Sequence, residues 1–350
     1  MIRVVIADDM SASRALLEGI LTMEGDFEVV GRAGDGAQAV ALTRQLKPDL
    51  VTMDIEMPGM DGFEATQRIM SETPRPIIIV SGTDVSSVAV ALNATRAGAL
   101  SVVPKPPAPG SADFEAQARH LLTMARAMSK VKLLPQVQQV RAPAAPAAAG
   151  APQPAAAPPA RVKAGNKARI IGIAASTGGP PALNTILSEL PADFRAPILV
   201  VQHIATGFAQ GLATWLASTS QLRVKVAEHG EQLVPGTVYL APDNRHLGVA
   251  EGRVALADGP PVDGFRPSGT HLFDSLARAY GGAALGLILT GMGRDGVAGL
   301  AALRAAGGTV VAQDEGSSVI YGMNGEAVLG GLTDEVLPLD ALAYLLMQSV

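Results

Sequence analysis

From Met1 to about Met128, short β-branched runs alternate with stretches whose apolar residues recur at helical spacing, as Leu16, Leu17, Ile20 and Leu21 do after the first run. Strands are predicted at Arg3–Ala7, Phe27–Arg32, Leu50–Met53, Ile77–Val80 and Ser101–Val103. Strands that are apolar at nearly every position are buried on both faces. Five βα units of this kind predict a parallel sheet covered by helices on both sides. A second alternating pattern begins at Arg169, with strands predicted at Ile170–Ala174, Ile198–Gln202, Val224–Ala227, Val238–Leu240, Leu285–Leu289 and Thr309–Ala312. A hairpin is predicted from His246–Ala250 and Arg253–Ala257 around Glu251-Gly252. Gly178, Gly179, Gly291, Gly293 and Gly296 fall just after strands rather than inside them, so this half also reads as an α/β sheet working at its strand ends.

Between the two patterns, Arg141 to Arg161 is a tract of Ala and Pro with no large apolar side chain to bury. Its prolines predict a semi-rigid, extended linker, and roughly 20 residues at ~3.1 Å each reach about 60 Å. Lys130, Lys132, Lys163, Lys167 and Arg169 flank the tract. They serve either to dock an acidic partner or simply to keep a linker solvated. The expected organisation is a first domain over 1–128, a linker over 129–167 and a second domain over 168–350.

Composition narrows the chemistry. Lys and Arg number 27 against 32 Asp and Glu, and no basic recognition helix is present, so DNA is not an expected partner. With no Cys, disulfides, thiolate metal sites and thiol nucleophiles are excluded, and any nucleophile is oxygen or nitrogen. The apolar run Met1–Ala7 meets two aspartates and has neither the charged start nor the cleavage site of a signal peptide. No apolar run approaches the ~20 residues that span a bilayer, so a soluble, cytoplasmic protein without direct membrane insertion is expected.

In the first half, Asp8 and Asp9 end the first strand, Asp54 the third and Ser81 the fourth, and Lys105 follows the fifth. Parallel strands bring these ends to one sheet edge. Acidic residues at strand ends are often only helix caps or solvated loops, but five groups at four strand ends of one sheet are harder to dismiss and could share one pocket. Its carboxylates repel unless a cation joins them, and carboxylates with waters and phosphate oxygens are the ligand set Mg²⁺ prefers. In such a pocket Asp54 is placed to accept a phosphoryl group. Asp8-Asp9, "MDIEMPGMDG" from Met53, "VSG" from Val80 and "PKP" from Pro104 make this half resemble the receiver domain of two-component response regulators. The resemblance implies a flavodoxin-like (βα)5 fold with Asp54 as phosphate acceptor and a histidine kinase as phosphate donor. It further implies Mg²⁺ on Asp9 and Asp54 with Asp8 assisting and the Glu56 carbonyl completing the site, and Ser81 and Lys105 as the switch. Val102 stands where many receivers carry an aromatic switch residue.

In the second half, Ser176 directly follows a strand inside "GIAASTGGP" and precedes a helix near Pro181. A Gly-rich strand-to-helix turn either binds phosphate or projects a nucleophile, and nothing local decides between them. Of the five His residues, His203 follows the strand "ILVVQ" at the same edge; His120 lies on a helix, and His229, His246 and His271 fall near loops or helix starts, where solvated or capping roles are expected. Asp295 lies in "LTGMGRDGVAG" after another strand. Ser176, His203 and Asp295 are either the parts of an acyl-transfer triad or three unrelated loop residues.

"AASTGGP", "VVQHI", "GTVYLAP", "DGPPVDGFRPS", "LILTGMGRDGVAG", "VAQDE" and "YGM" make this half resemble the catalytic domain of the chemotaxis protein-glutamate methylesterases, which are also glutaminases. The resemblance implies a second doubly wound α/β domain, with Ser176 as nucleophile, His203 as base, Asp295 as its orienter and no cofactor for the esterase step. The Thr177 and Met292 amides become oxyanion candidates, and methyl-accepting chemoreceptors the expected substrate. The alternative is a hydrolase relic retained as a binding module. Thr270-His271, Ala205 and Asn324 depart from the family pattern; they are expected in cleft-lining loops away from the triad.

Overall fold

The computed structural model describes residues 1–82, 90, 93–94, 97–131, 167–204 and 206–350. The Ala/Pro tract, Lys132, Lys163 and Ala205 lie outside the described residues.

The first sheet holds β1 (Ile2–Ala7), β2 (Phe27–Ala33), β3 (Leu50–Met53), β4 (Ile77–Ser81) and β5 (Ser101–Pro104), all parallel, in the order β2-β1-β3-β4-β5. Alternate residues of β1 face opposite layers. Val4 and Ile6 pack with Leu17, Ile20 and Leu21 of α1 (Ser11–Thr22) and with Leu121 and Leu122 of α4 (Phe114–Met128). Val5 and Ala7 pack with Ala39 and Val40 of α2 (Gly36–Leu46) and Ala65 and Ile69 of α3 (Gly62–Glu72). Removing such aliphatic side chains from water contributes about 1.5–3 kcal/mol each, which explains why the central strand β1 is apolar from Val4 to Ala7. The capping role open to any strand-end acid falls instead to Asp35 and Asp61, which accept from Gln38 N and Glu64 N at the starts of α2 and α3.

The second sheet has seven parallel strands in the order β14-β13-β12-β6-β7-β9-β8. They are β6 (Ile170–Ala175), β7 (Ile198–Gln202), β8 (Arg223–Val226), β9 (Thr237–Leu240), β12 (Ala284–Ile288), β13 (Thr309–Gln313) and β14 (Glu335–Leu337). One face is covered by α5 (Gly179–Glu189), α6 (Ala209–Thr219) and α10 (Leu339–Ser349), and the other by α7 (Gly269–Tyr280), α8 (Val297–Ala305) and α9 (Met323–Leu329). The predicted hairpin forms as β10 (His246–Ala250) and β11 (Arg253–Ala257), with Leu247, Val249, Val254 and Leu256 in the core beneath the second helical layer. β14 was not anticipated; three residues at a sheet edge leave too short a pattern to read.

Both sheets run outward in two directions from their first strand. The order reverses between β1 and β3 in one and between β6 and β12 in the other. At such a point the connections leave to opposite faces and a crevice opens beyond the strand ends. The candidate residues of each half follow these strands. No helix among the described residues is long and apolar enough to cross a membrane.

Candidate functional site

In the first crevice, the carboxylates of Asp8, Asp9 and Asp54 lie within 4.8 Å of one another. Asp8 and Asp54 are buried and Asp9 is exposed. Asp54 N donates to Ala7 O across the sheet at 2.8 Å, fixing the end of β3 against β1. Lys105 Nζ reaches Asp54 Oδ2 at 2.8 Å and stands 2.7 Å from Asp8 Oδ2, the latter an ion pair without hydrogen-bond directionality. Burial pushes the Asp54 carboxyl above the ordinary carboxylate range; Lys105 opposes this and the neighbouring Asp8 adds to it. One ammonium therefore does not offset the burial of this carboxyl beside a second acid. Ser81 is buried at the end of β4, and its carbonyl accepts from Lys105 N at 2.8 Å. Glu56 lies two residues beyond Asp54 with its side chain exposed and outside the carboxylate group; the expectation concerned its carbonyl alone.

In the second crevice, β6 and β7 pair Ala175 with Gln202, so Ser176 and His203 are the next residues on adjacent strands. His203 N donates to Ala175 O at 2.9 Å, and Ser176 N donates to Thr290 O at 3.0 Å beyond β12. Backbone bonds to both neighbouring strands thus hold the Ser176 turn. Two glycines let the chain pass this closely. A Cβ on Gly291 would come 2.7 Å from that of Ser176, and one on Gly178, whose φ is +80°, would come 2.6 Å from that of Val319.

Asp295 is fully buried and takes four hydrogen bonds. His203 Nε2 lies 2.8 Å from Oδ2, Gly269 N donates to Oδ2 at 2.6 Å, and Ser268 Oγ and Thr270 N donate to Oδ1 at 2.7 and 3.1 Å. Ser268 is the N-cap of α7, so the carboxylate sits on the amide end of a helix, where the dipole favours negative charge. Burial works against its ionisation, but His203, then Ser268 and Gly269, outweigh it and hold the group below the ordinary carboxylate range. Because the ionised Asp295 engages Nε2, the ring proton belongs there and the Nδ1 lone pair is left for chemistry. Nδ1 is buried and bonds to no described residue, so the Ser176–His203 hydrogen bond is not made in this state of the protein. Catalytic bonds of this kind are commonly loose until substrate arrives. The Phe265 ring stacks on His203, with centroids 4.1 Å apart and planes within 3°. Among the described residues, the Thr177 and Met292 amides have no hydrogen-bond partner.

Three expectations need correction. Thr270 and His271 belong to the first turn of α7, and Thr270 touches the site directly: its amide binds Asp295 and its hydroxyl accepts from Gly296 N at 2.8 Å. Asn324 is buried in α9, where its amide donates to Gln313 O and Ser318 Oγ rather than lining a cleft loop. His246 is neither solvated nor capping. It is 1% exposed on β10, with Nε2 3.0 Å from Pro260 O and its ring stacked on His271 at 4.7 Å.

His271, the partner in that stack, carries a pH dependence. Burial, then His246 and Arg278, push the His271 pKa below its ordinary value of 6.5, with Asp274 opposing. A histidine whose pKa is lower folded than unfolded contributes stability above the unfolded value, and this is lost as pH falls through the folded one. Thermal stability of the full-length protein is therefore expected to fall from about pH 6.5 downward, and less steeply in His271→Leu. Parallel wild-type and variant curves would show that His271 does not titrate this way.

Residues 171–346 match the CheB methylesterase family and residues 4–112 the response regulator receiver domain. Over 345 residues, 98% of this chain and 97% of the relative, the chain is 53% identical to protein-glutamate methylesterase/protein-glutamine glutaminase 3 of Anaeromyxobacter dehalogenans. It is 50% identical over 343 residues, 98% of this chain and 95% of the relative, to protein-glutamate methylesterase/protein-glutamine glutaminase 4 of Myxococcus xanthus. The crystal structure of the Thermotoga maritima CheB methylesterase catalytic domain matches 52% of this chain and 99% of its own at 41% identity, with a TM-score of 0.51. With a receiver ahead of a methylesterase domain and similarity along nearly its whole length, the chain belongs to the CheB methylesterase family.

Proposed function

We infer that the protein is a phosphorylation-regulated serine esterase that removes methyl groups from glutamate esters of chemoreceptors, and deamidates glutamine by the same route, in chemotaxis adaptation. The observation that carries this reading is the buried Asp295–His203 pair beside Ser176 at a topological switch point, in a chain 53% identical along its length to such an enzyme. His203 Nδ1 takes the Ser176 proton as Oγ attacks the ester carbonyl, and Asp295 stabilises the imidazolium that forms. The Thr177 and Met292 amides meet the developing oxyanion. His203 then gives that proton to the leaving oxygen of the ester, or nitrogen of glutamine, as its bond to the carbonyl carbon breaks, releasing methanol or ammonia and leaving Ser176 acylated. The same groups activate water to free Ser176 and leave a glutamate.

The regulatory half is taken as a flavodoxin-like (βα)5 receiver over 1–128, joined by the Ala/Pro-rich linker over 129–167 to the catalytic domain over 168–350. A chemotaxis histidine kinase supplies the phosphoryl group to Asp54, with Ser81 and Lys105 registering its arrival. Asp8, Asp9 and Asp54, with the Glu56 carbonyl, would hold Mg²⁺. The grouping of three carboxylates and the raised Asp54 pKa fit a cation at this place. When bound, Mg²⁺ offsets the charge of carboxylates and phosphate. No cofactor is assigned to the esterase step. The reading places the protein in the cytoplasm, without membrane insertion or DNA as a partner.

Regulation is supported by packing between the halves. Met292, Val319 and Ile320 pack against the receiver's hydrophobic cluster. They adjoin the catalytic crevice: Val319 lies against Gly178, and Gly291 N donates to Ile320 O. Methanol release from methylated receptor membranes, with and without a small-molecule phosphodonor and Mg²⁺, is the test. Wild-type protein is expected to accelerate with the donor and Asp54→Asn is not. No methanol under either condition would refute the esterase, and equal stimulation of both proteins would refute control through Asp54.

A further inference from the structure

We infer that Phe265 is a positioning residue for the general base, its ring backing the His203 imidazole so that the unpartnered Nδ1 edge keeps one orientation for the proton from Ser176. The inference rests on the esterase reading above and concerns how the base is held.

Asp295 grips His203 by one nitrogen only. A single edge contact leaves the imidazole free to swing about χ2 on that bond, and Nδ1, on the far edge, bonds to no described residue. Phe265 supplies the missing constraint. A parallel ring at 4.1 Å opposes that out-of-plane swing. Aromatic pairs of this kind also contribute to holding one another in place, and the ring face favours a cation, which the imidazole becomes when it takes the serine proton.

The placement of Phe265 has no other evident purpose in the packing. The residue is partly exposed and belongs to none of the four hydrophobic clusters among the described residues. Its backbone is nonetheless tightly held. Asp263 and Gly264 take positive φ values of 51° and 86°, a two-residue turn closed by Val262 N to Phe265 O at 3.0 Å and Phe265 N to Val262 O at 2.9 Å. Arg266 Nη1 ties the next residue to Gly259 O at 3.0 Å. Three to five residues beyond Phe265, the same stretch presents Ser268, Gly269 and Thr270 to Asp295. One segment, 262–270, therefore holds the imidazole by its face directly and by its edge through the carboxylate.

The test uses full-length protein with phosphodonor and methylated receptor membranes, comparing Phe265→Leu, Phe265→Ala and Phe265→Tyr. Leu and Ala are expected to lower kcat by about 10- to 100-fold with KM little changed, the scale on which small displacements of a catalytic group act. Tyr, which keeps the flat face, is expected to retain most of the wild-type rate. Labelling of Ser176 by a small organophosphonate, which needs the base but no receptor, is expected to slow in the same proportion. A Leu variant with wild-type kcat, a defect confined to KM, or a Tyr variant as slow as Leu would each overturn the inference. Should Ala fail to fold, Leu and Tyr decide the matter. Wild-type protein that releases no methanol would refute the esterase reading itself, a result separate from any of these.

Discussion

Ser176→Ala is expected to abolish methanol release, with a fall on the order of 10⁴- to 10⁶-fold, because removing the nucleophile leaves only oxyanion stabilisation and binding to act on the ester. The variant is also expected to be as stable as the wild type. The Ser176 hydroxyl bonds to no described residue, and its turn is held by backbone bonds to Thr290, Gly179 and the Gln202 side chain. Alanine keeps the Cβ, so the tight approach of Gly291 is undisturbed. Receiver phosphorylation at Asp54 belongs to a different crevice and is expected to proceed normally. Methanol release, thermal unfolding and phosphate uptake on one preparation check all three points; release at the wild-type rate would remove Ser176 from the chemistry.

Asp295→Asn is the second large effect, and it differs in kind because it strikes stability as well as rate. Four donors converge on this carboxylate: His203 Nε2, Ser268 Oγ, Gly269 N and Thr270 N. An amide of the same shape accepts at one atom only and turns its own donors on two of the four. Burial leaves no water to relieve the conflict, and a cost of about 3 kcal/mol is expected from unsatisfied buried donors. Catalysis is expected to fall by roughly 10⁴-fold, since an asparagine oxygen does not stabilise the imidazolium and its NH₂ favours the wrong tautomer. Thermal unfolding and methanol release, measured together, separate the two losses. A stable variant retaining most of its activity would mean that Asp295 only fills space.

The acidic pocket was legible because its logic is one-dimensional. A parallel sheet of five short strands sends each strand end to one edge, so Asp8, Asp9, Asp54, Ser81 and Lys105 meet by topology before any contact is known. Ser176 and His203 were legible for the same reason, being the first residues after two apolar strands. Thr270 and Asn324 were misplaced because a helix start and a loop share composition: "PSGTH" reads equally as either, and only the Ser268 cap on His271 N makes it a helix. His246 was misread because a polar residue at a strand start looks solvated until another element covers it. Gln202, Thr290 and Phe265 were never candidates for the site. The Gln202 amide braces Ser176 O and His203 O at 2.7 and 2.8 Å, and Thr290 Oγ1 lies 2.9 Å from Thr177 O, through contacts no spacing rule encodes.

By itself, then, the sequence determined two α/β halves, the edge of each sheet on which chemistry lies, and the residue types gathered there, because hydrophobic periodicity dictates strands and parallel strands dictate a common edge. The tertiary structure alone decided which atom of His203 faces Asp295, that the carboxylate rests on the amides that open α7, and that Phe265 backs the imidazole. Those outcomes depend on the Asp263–Gly264 turn and the start of α7 meeting His203, about 60 residues earlier in the chain. A side-chain orientation is set by every neighbour at once, and local pattern carries only the neighbours along the chain.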